Sequence, residues 1–377
     1  MLSLTVGDPV PWFTLPSTSN PTFHFNSIGG YRVILFFFGS TKNNHIRDIL
    51  HQFCTRQNQL ASSQVPFFGV SIDSDDSYLA DLIENKTYFK LLWDFNRQVS
   101  IQYGVCQQDN SDSGELQYQP KIFILNENLR VLQVINVLAV ANPVEQVFQF
   151  IESLPTIPPA SLATKVAPVL FIPNVLEPEF CQHLIDLYLA NGGQDSGFMR
   201  QIDGKTVEVY DYTFKKRRDY LISNPQLLEQ INQRVIRRVK PEIEKAFQFS
   251  ITRFERYLVA CYEANGQGFF NRHRDNTTKG TAHRRFAMSL NLNTGFYEGG
   301  HLRFPEYGSQ LYCPNTGEAL IFSCSLLHEA TPIISGQRFV LLSFFYNDED
   351  ARLREKNRHY LQSDSDDESH KSNVNSQ

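Results

Sequence analysis

Arg272-His273-Arg274-Asp275-Asn276 is the stretch on which the reading of this chain turns. In an extended strand, residues two apart point to the same side, so the imidazole of His273 and the carboxylate of Asp275 can share one metal ion. A third donor, His328, follows the apolar run Ala319-Leu320-Ile321-Phe322. Two histidines and one carboxylate leave three positions of an octahedral ion open, the donor set of non-haem Fe(II) oxygenases. Arg338 then opens the apolar strand Phe339-Val340-Leu341-Leu342-Ser343-Phe344. An always-charged guanidinium at the head of such a strand needs an anion, and a dicarboxylate co-substrate supplies one. Ser335-Gly336 reads as a chain reversal that returns Arg338 to the metal. Rival ligands fit less well. His301 lies on a predicted strand with no carboxylate at period two, and His283 reads as loop.

Around this centre the pattern is β from about residue 251. Predicted strands are 256–262, 285–293, 300–305, 318–324 and 338–346, with turns at Asn265-Gly266, Gly299-Gly300, Asn315-Thr316-Gly317 and Ser335-Gly336. Helices are expected over 178–191 and 226–248. In the second, Leu227, Ile231, Val235, Val239, Ile243 and Phe247 recur every four residues, and Pro241 bends or restarts it. Helices followed by spaced strands predict a helix-flanked β-sandwich or barrel.

Further blocks keep the same order: Val259-Ala260-Cys261-Tyr262, Asn265-Gly266-Gln267-Gly268, Asn291-Leu292-Asn293, 298–305 and His328-Glu329-Ala330. With the HxD stretch, they resemble prolyl 4-hydroxylase-type Fe(II)/2-oxoglutarate dioxygenases, the oxygen-sensing prolyl hydroxylases in particular, over residues 166–350. The resemblance implies a mainly-β double-stranded β-helix (jelly-roll) with flanking helices. It implies iron held by His273, Asp275 and His328, the distal carboxylate of 2-oxoglutarate on Arg338, and Tyr262 facing the co-substrate. Three departures stand out: Phe270 where the oxygen sensors carry Tyr, one extra residue between Tyr262 and His273, and Asn291 in place of a second Tyr. The Asn291 amide can still donate a hydrogen bond to the co-substrate. The implied chemistry consumes O₂ and 2-oxoglutarate, releases succinate and CO₂, and hydroxylates a substrate, with ascorbate as a further implied requirement. Peptidyl proline is the substrate the resemblance points to. Another protein side chain, a free amino acid or a small molecule stays open. Lys215-Lys216-Arg217-Arg218-Asp219 reads either as a polar rim meeting substrate or as a solvated basic loop.

The N-terminal part alternates strands and helices. Tyr31 to Phe38 and Val65 to Ile72 are buried strands, 45–60 carries a helical apolar stripe, and Asp73 to Asp76 cap a helix start. Lys121 to Leu125 and Val131 to Val137 form a hairpin across Asn126-Glu127-Asn128, and a helix closes the unit over 143–153. A mixed α/β sheet follows. Gly7 to Leu15, Leu92 to Val99 and Tyr103-Gly104-Val105 resemble the peroxiredoxin/thioredoxin-like (redoxin, AhpC/TSA) family. In that family a cis-proline precedes a strand, here at Gln119-Pro120. Its peroxidatic cysteine follows the central strand, where this chain has Gly39-Ser40-Thr41-Lys42-Asn43-Asn44-His45 and no thiol. Cys54 falls within the following helix, and Cys106 is a loop thiol without a partner.

Length and composition bound the rest. The 377 residues, 41% hydrophobic and 20% charged, suffice for two or three domains with sizeable cores, and thirty Phe with sixteen Tyr make those cores aromatic. The net charge of −5 argues against non-specific nucleic-acid binding. No uninterrupted apolar run reaches membrane-spanning length, Met1 to Asp8 lacks a secretory pattern, and the six cysteines lack CxxC spacing. A cytoplasmic protein with no membrane or nucleic-acid partner is expected, its oligomeric state unspecified. The expected layout is a redoxin domain over 1–153, a Pro-rich linker over 154–165, the dioxygenase domain over 166–350, a helix over 351–362 and a disordered acidic tail over 363–377. Two readings compete with a dioxygenase: a redox-sensing or interaction protein without turnover, and a thiol peroxidase using Cys54 or Cys106.

Overall fold

The computed structural model describes residues 3–83, 87–108 and 116–361. The acidic tail expected over 363–377 lies outside the described residues. Two compact units are present, Met1–Ala160 and Ser161–Gln377. Among the described residues no helix is long and apolar enough to cross a membrane.

The first unit is built on a five-stranded mixed sheet in the order Phe89–Trp93, Phe67–Ser71, Val33–Gly39, Lys121–Leu125, Val131–Asn136. The first three strands are parallel and the last two antiparallel. Val33–Gly39 is central and buried at every position, which is why its sequence is continuously apolar rather than alternating. Its side chains divide by parity. Ile34, Phe36 and Phe38 join the core under the helices Asn44–Thr55 and Pro143–Ser153, while Val33, Leu35 and Phe37 join the opposite core. This is the thioredoxin-like arrangement. One expectation is corrected: among the described residues no peptide bond is cis, so Gln119-Pro120 enters its strand through the ordinary trans bond.

The second unit holds two antiparallel sheets. The larger runs Leu170–Ile172, Ala319–Ser323, Phe286–Asn291, Ile333–Tyr346, Leu258–Glu263, Arg218–Leu221, Gln194–Asp195, and the smaller runs Lys215–Lys216, Phe269–His273, His328–Ala330, Leu302–Arg303, Leu311–Tyr312. Period-two alternation sorts the larger sheet's side chains. Val259, Cys261, Met288, Leu290, Phe339 and Leu341 pack on the helices Pro178–Asn191, Pro225–Arg238 and Lys240–Phe247. Ala260, Tyr262, Ala287 and Val340 turn the other way, onto Phe270, Leu302 and Ala330 of the smaller sheet. The result is a double-stranded β-helix whose interior lies between the sheets. Pro241 stands in the first turn of the shorter helix, so the proline restarts the helix rather than kinking a continuous one.

A second correction concerns Ser335-Gly336. The chain does not reverse there: Ile333–Tyr346 is one strand that runs straight through it. The crossing from one sheet to the other comes earlier, between Ala330 and Ile333. Gly336 takes φ 75° and an added Cβ would lie 2.5 Å from the Phe296 carbonyl, so glycine serves close backbone approach inside the strand.

Candidate metal centre

His273 ends one strand of the smaller sheet and His328 begins the next, and the two are register partners. Between the pairs Phe270–Ala330 and His273–His328 the register shifts, with three steps on one strand opposite two on the other. Such a bulge takes up one additional residue and re-aims the side chain beyond it. Asp275 follows the strand end, where its backbone N–H donates to the Cys324 carbonyl at 3.0 Å.

The donor atoms of His273, Asp275 and His328 lie within 4.8 Å of one another, the one such cluster among the described residues. Asp275 Oδ1 is 3.5 Å from His273 Nε2, and its Oδ2 is 3.5 Å from His328 Nε2. Each histidine's Nδ1 meets a backbone carbonyl, Asn271 O at 2.7 Å and Leu326 O at 3.0 Å. A carbonyl only accepts, so each Nδ1 carries the proton and each Nε2 turns its lone pair toward the carboxylate. That is the orientation a metal-ligating imidazole needs.

The electrostatics suit metal binding. Burial and the neighbouring His273 push the His328 pKa down to about 4, so its ring is neutral near pH 7. Burial would raise Asp275, but His328, His273 and Arg284 outweigh it and hold the carboxyl well below its ordinary range. Phe270, which interrupts the expected tyrosine pattern, stacks its ring on His273 at 3.5 Å between centroids. Behind Asp275, Arg284 donates to its backbone carbonyl at 3.4 Å and to both oxygens of the buried Glu255 at 2.7 and 3.2 Å.

Arg338 and Tyr262 are register partners on adjacent strands of the larger sheet, both facing the interior. The Arg338 guanidinium lies 5.4 Å from the Tyr262 ring centroid. Arg338 is 2% exposed, and no described carboxylate pairs with it. Its Nη2 donates to Asn291 Oδ1 at 2.9 Å and approaches Ser289 Oγ at 3.4 Å, both neutral. The Asn291 amide nitrogen is already spent on Thr294, Tyr297 and the Pro314 carbonyl. Asn291 therefore holds Arg338 through its oxygen, and the expected amide donation to co-substrate is not how the side chain is oriented. Triad, Arg338, Ser289 and Tyr262 line one cavity of about 450 Å³.

Of the two readings of Lys215 to Asp219, polar rim or solvated loop, the second is excluded, and Lys215 and Arg217 line the cavity. Lys215 is 5% exposed and Arg217 is bonded through Nε and Nη2 to Asp219, so this segment is no solvated loop. The signal was parity: Lys215, Arg217 and Asp219 stand two apart, and all three are buried or half-buried.

In the first unit, the loop after the central strand places Thr41, not a thiol, against the buried Asp76. Cys54 is half-buried inside the helix Asn44–Thr55, and burial raises the Cys106 pKa, the direction opposite to thiol activation.

Residues 6–134 match the AhpC/TSA family and residues 257–346 the 2OG-Fe(II) oxygenase superfamily. A PKHD-type hydroxylase of Shewanella baltica is 27% identical over 195 residues, covering 48% of this chain and 80% of its own length. Among solved structures, a Trichoplax adhaerens prolyl hydroxylase in complex with a hypoxia inducible factor peptide fragment covers 49% of this chain and 86% of its own, at 18% identity and TM-score 0.40. The peroxidoxin BcpB of Mycobacterium tuberculosis covers 40% of this chain and 99% of its own, at 20% identity and TM-score 0.36. Each unit matches a different family over part of the chain, and the second match supports a 2-oxoglutarate- and Fe(II)-dependent oxidoreductase.

Proposed function

With the chain taken as a 2-oxoglutarate/Fe(II) dioxygenase of prolyl-hydroxylase type, we propose that it hydroxylates a prolyl residue of a peptide or protein. In this reading His273 Nε2, His328 Nε2 and an Asp275 oxygen hold Fe(II), and Arg338 takes the distal carboxylate of 2-oxoglutarate beside Tyr262. The observation that carries it is the buried Arg338, a permanent charge with only neutral partners, lining the same cavity as the triad. A desolvated guanidinium is costly without a carboxylate, and a dicarboxylate reaching from the metal supplies one.

Bound Fe(II) with 2-oxoglutarate supplies O₂ activation coupled to release of succinate and CO₂. The chain's own residues position and shield. The carbonyls of Asn271 and Leu326 hold the two Nδ1 protons, so Nε2 is the nitrogen of each ring left to face the metal. Phe270, Phe322 and Leu302 line the apolar part of the cavity and exclude water from the reacting carbon. Asn291 and Ser289 fix the Arg338 fork. The kinship to a PKHD-type hydroxylase supports hydroxylation as the outcome. Ascorbate, as the reductant that keeps the iron ferrous, belongs to the same proposal.

Anaerobic titration with Fe(II) and then 2-oxoglutarate tests the site before any substrate is known. A visible charge-transfer band of the chelated keto acid is expected in the unsubstituted protein, weakened in Arg338→Ala and absent in Asp275→Ala. No band at saturating co-substrate overturns the proposal. Succinate release on addition of proline-containing peptides then tests the substrate.

A further inference from the structure

The cavity holds more positive charge than the iron chemistry uses. In the complex just proposed, Asp275 and one 2-oxoglutarate carboxylate match the two charges of Fe(II), and Arg338 matches the other carboxylate. Three more cations lining the cavity have partners: Arg217 with Asp219, Arg284 with Glu255, and Arg274 with Glu306. Lys215, Arg256 and Arg200 also line it, and no described carboxylate pairs with any of them. The remaining lining carboxylate, Glu208, is exposed and accepts from the Gly197 N–H at 3.1 Å.

Lys215 is the decisive member. Its ammonium is buried, donates to Ser196 Oγ at 2.7 Å and the Gly197 carbonyl at 2.5 Å, and stands 4.8 Å from the centroid of the Phe270 ring. Both acceptors are neutral, and an ammonium has a third N–H to give. Burial and the nearby Arg217 push its pKa well below the ordinary lysine value. Asp219 and Glu208 act on it in the opposite direction from a distance, but neither carboxylate bonds to the ammonium, and an arriving anion that takes its third N–H offsets the cost of burial.

We propose that Lys215, with Arg256 beside it, forms an anion subsite in the substrate part of this cavity, so that the molecule hydroxylated presents a carboxylate near the reacting carbon. The inference rests on the dioxygenase reading of the same cavity. The carboxylate has two possible sources, an acidic side chain flanking the target residue or a free α-carboxylate.

The test is calorimetric titration of the full chain, under anaerobic conditions with Fe(II) and 2-oxoglutarate, with three proline-containing peptides. One has blocked termini and glutamates flanking the proline, the second has blocked termini and glutamines, and the third is the glutamine peptide cut back to end at the proline with a free C-terminal carboxylate. Binding of the first or the third at least about tenfold tighter than the second is expected, a factor set by one charge-assisted contact. Which of the two gains affinity names the source. The preference should fall in Lys215→Met and Arg256→Gln; the latter alters an exposed residue and keeps the test open should Lys215→Met not fold. Equal affinities, no binding by any of the three, or a preference unchanged in every folded variant overturns the subsite. Repeating the titrations without Fe(II) and 2-oxoglutarate separates the two readings. A missing chelate band with the peptide preference intact sinks the dioxygenase proposal alone.

Discussion

His273 and His328 stand opposite one another as register partners on adjacent antiparallel strands, their ring centroids 4.2 Å apart. The pairing is long-range, and Asp275 reaches both rings only because the strand bearing His273 ends there. Metal affinity and the pairing of these two strands are therefore one property.

Asp275→Ala and His328→Ala should each weaken Fe(II) or Mn(II) binding by at least about 100-fold, as loss of one of three donors does. Excess metal should raise the melting temperature of the unsubstituted protein and not that of either variant, because a ligand stabilises only the state that binds it. Equal thermal shifts in all three proteins would place the metal elsewhere.

Arg338→Met should weaken 2-oxoglutarate binding by roughly 10- to 100-fold, the loss of a charge-assisted bidentate contact. Without ligands the same variant should be no less stable than the parent, since it removes a buried charge that has no counter-charge in the chain. Chemical denaturation with and without 2-oxoglutarate measures both effects. A variant destabilised without ligand yet binding normally would make Arg338 a structural residue.

Glu255 sets a pH dependence of stability. Burial raises its pKa, but Arg284 and His283 outweigh burial and lower it from 4.5 to about 2. A depressed folded-state value means the stabilisation is complete above the unfolded value near 4.5 and is lost as pH falls through about 2. Glu255→Gln should cost about 3 kcal/mol at neutral pH by stranding Arg284. It should also flatten the acid limb of a stability-versus-pH curve; an unchanged limb would assign the acid sensitivity to other carboxylates.

Gly336→Ala should destabilise by about 1–3 kcal/mol, read as a lower urea midpoint. Its φ of 75° is strained for alanine and the new Cβ would sit 2.5 Å from the Phe296 carbonyl. Gly204→Ala shares the positive φ, 80°, but meets open space, so its cost should be smaller. Equal losses would mean that strain alone, and not contact, sets the requirement.

Cys54→Ser should leave hydrogen peroxide consumption unchanged. Thr41 stands in the loop where a peroxidatic thiol is expected, and Cys54 lies half-buried in the helix beyond it. A clear fall in peroxide turnover in Cys54→Ser, unaltered by His273→Ala, would restore the thiol peroxidase reading.

What the sequence determined by itself is what period and order encode. Continuous apolar runs marked the buried strands of the first unit, and the spaced β pattern after residue 251 marked most of the strands of the second. The HxD spacing named the two donors, although the strand ends at His273 and Asp275 meets the rings from the turn beyond it. Tertiary structure decided whatever depends on two distant segments meeting. The reversal read at Ser335-Gly336 was wrong because a positive-φ glycine serves a turn and a close backbone approach equally, and only the Phe296 carbonyl tells them apart. The orientation of Asn291 was out of reach for the same reason: its amide is claimed by Thr294, Tyr297 and Pro314, which no local pattern announces. Lys215 and Arg217 read as a charged stretch because charge alone carries no burial signal. Arg217 meets Asp219 two residues on, but the burial of Lys215 came only when Ser196 and the Gly197 carbonyl closed over it, contacts between segments distant in the chain.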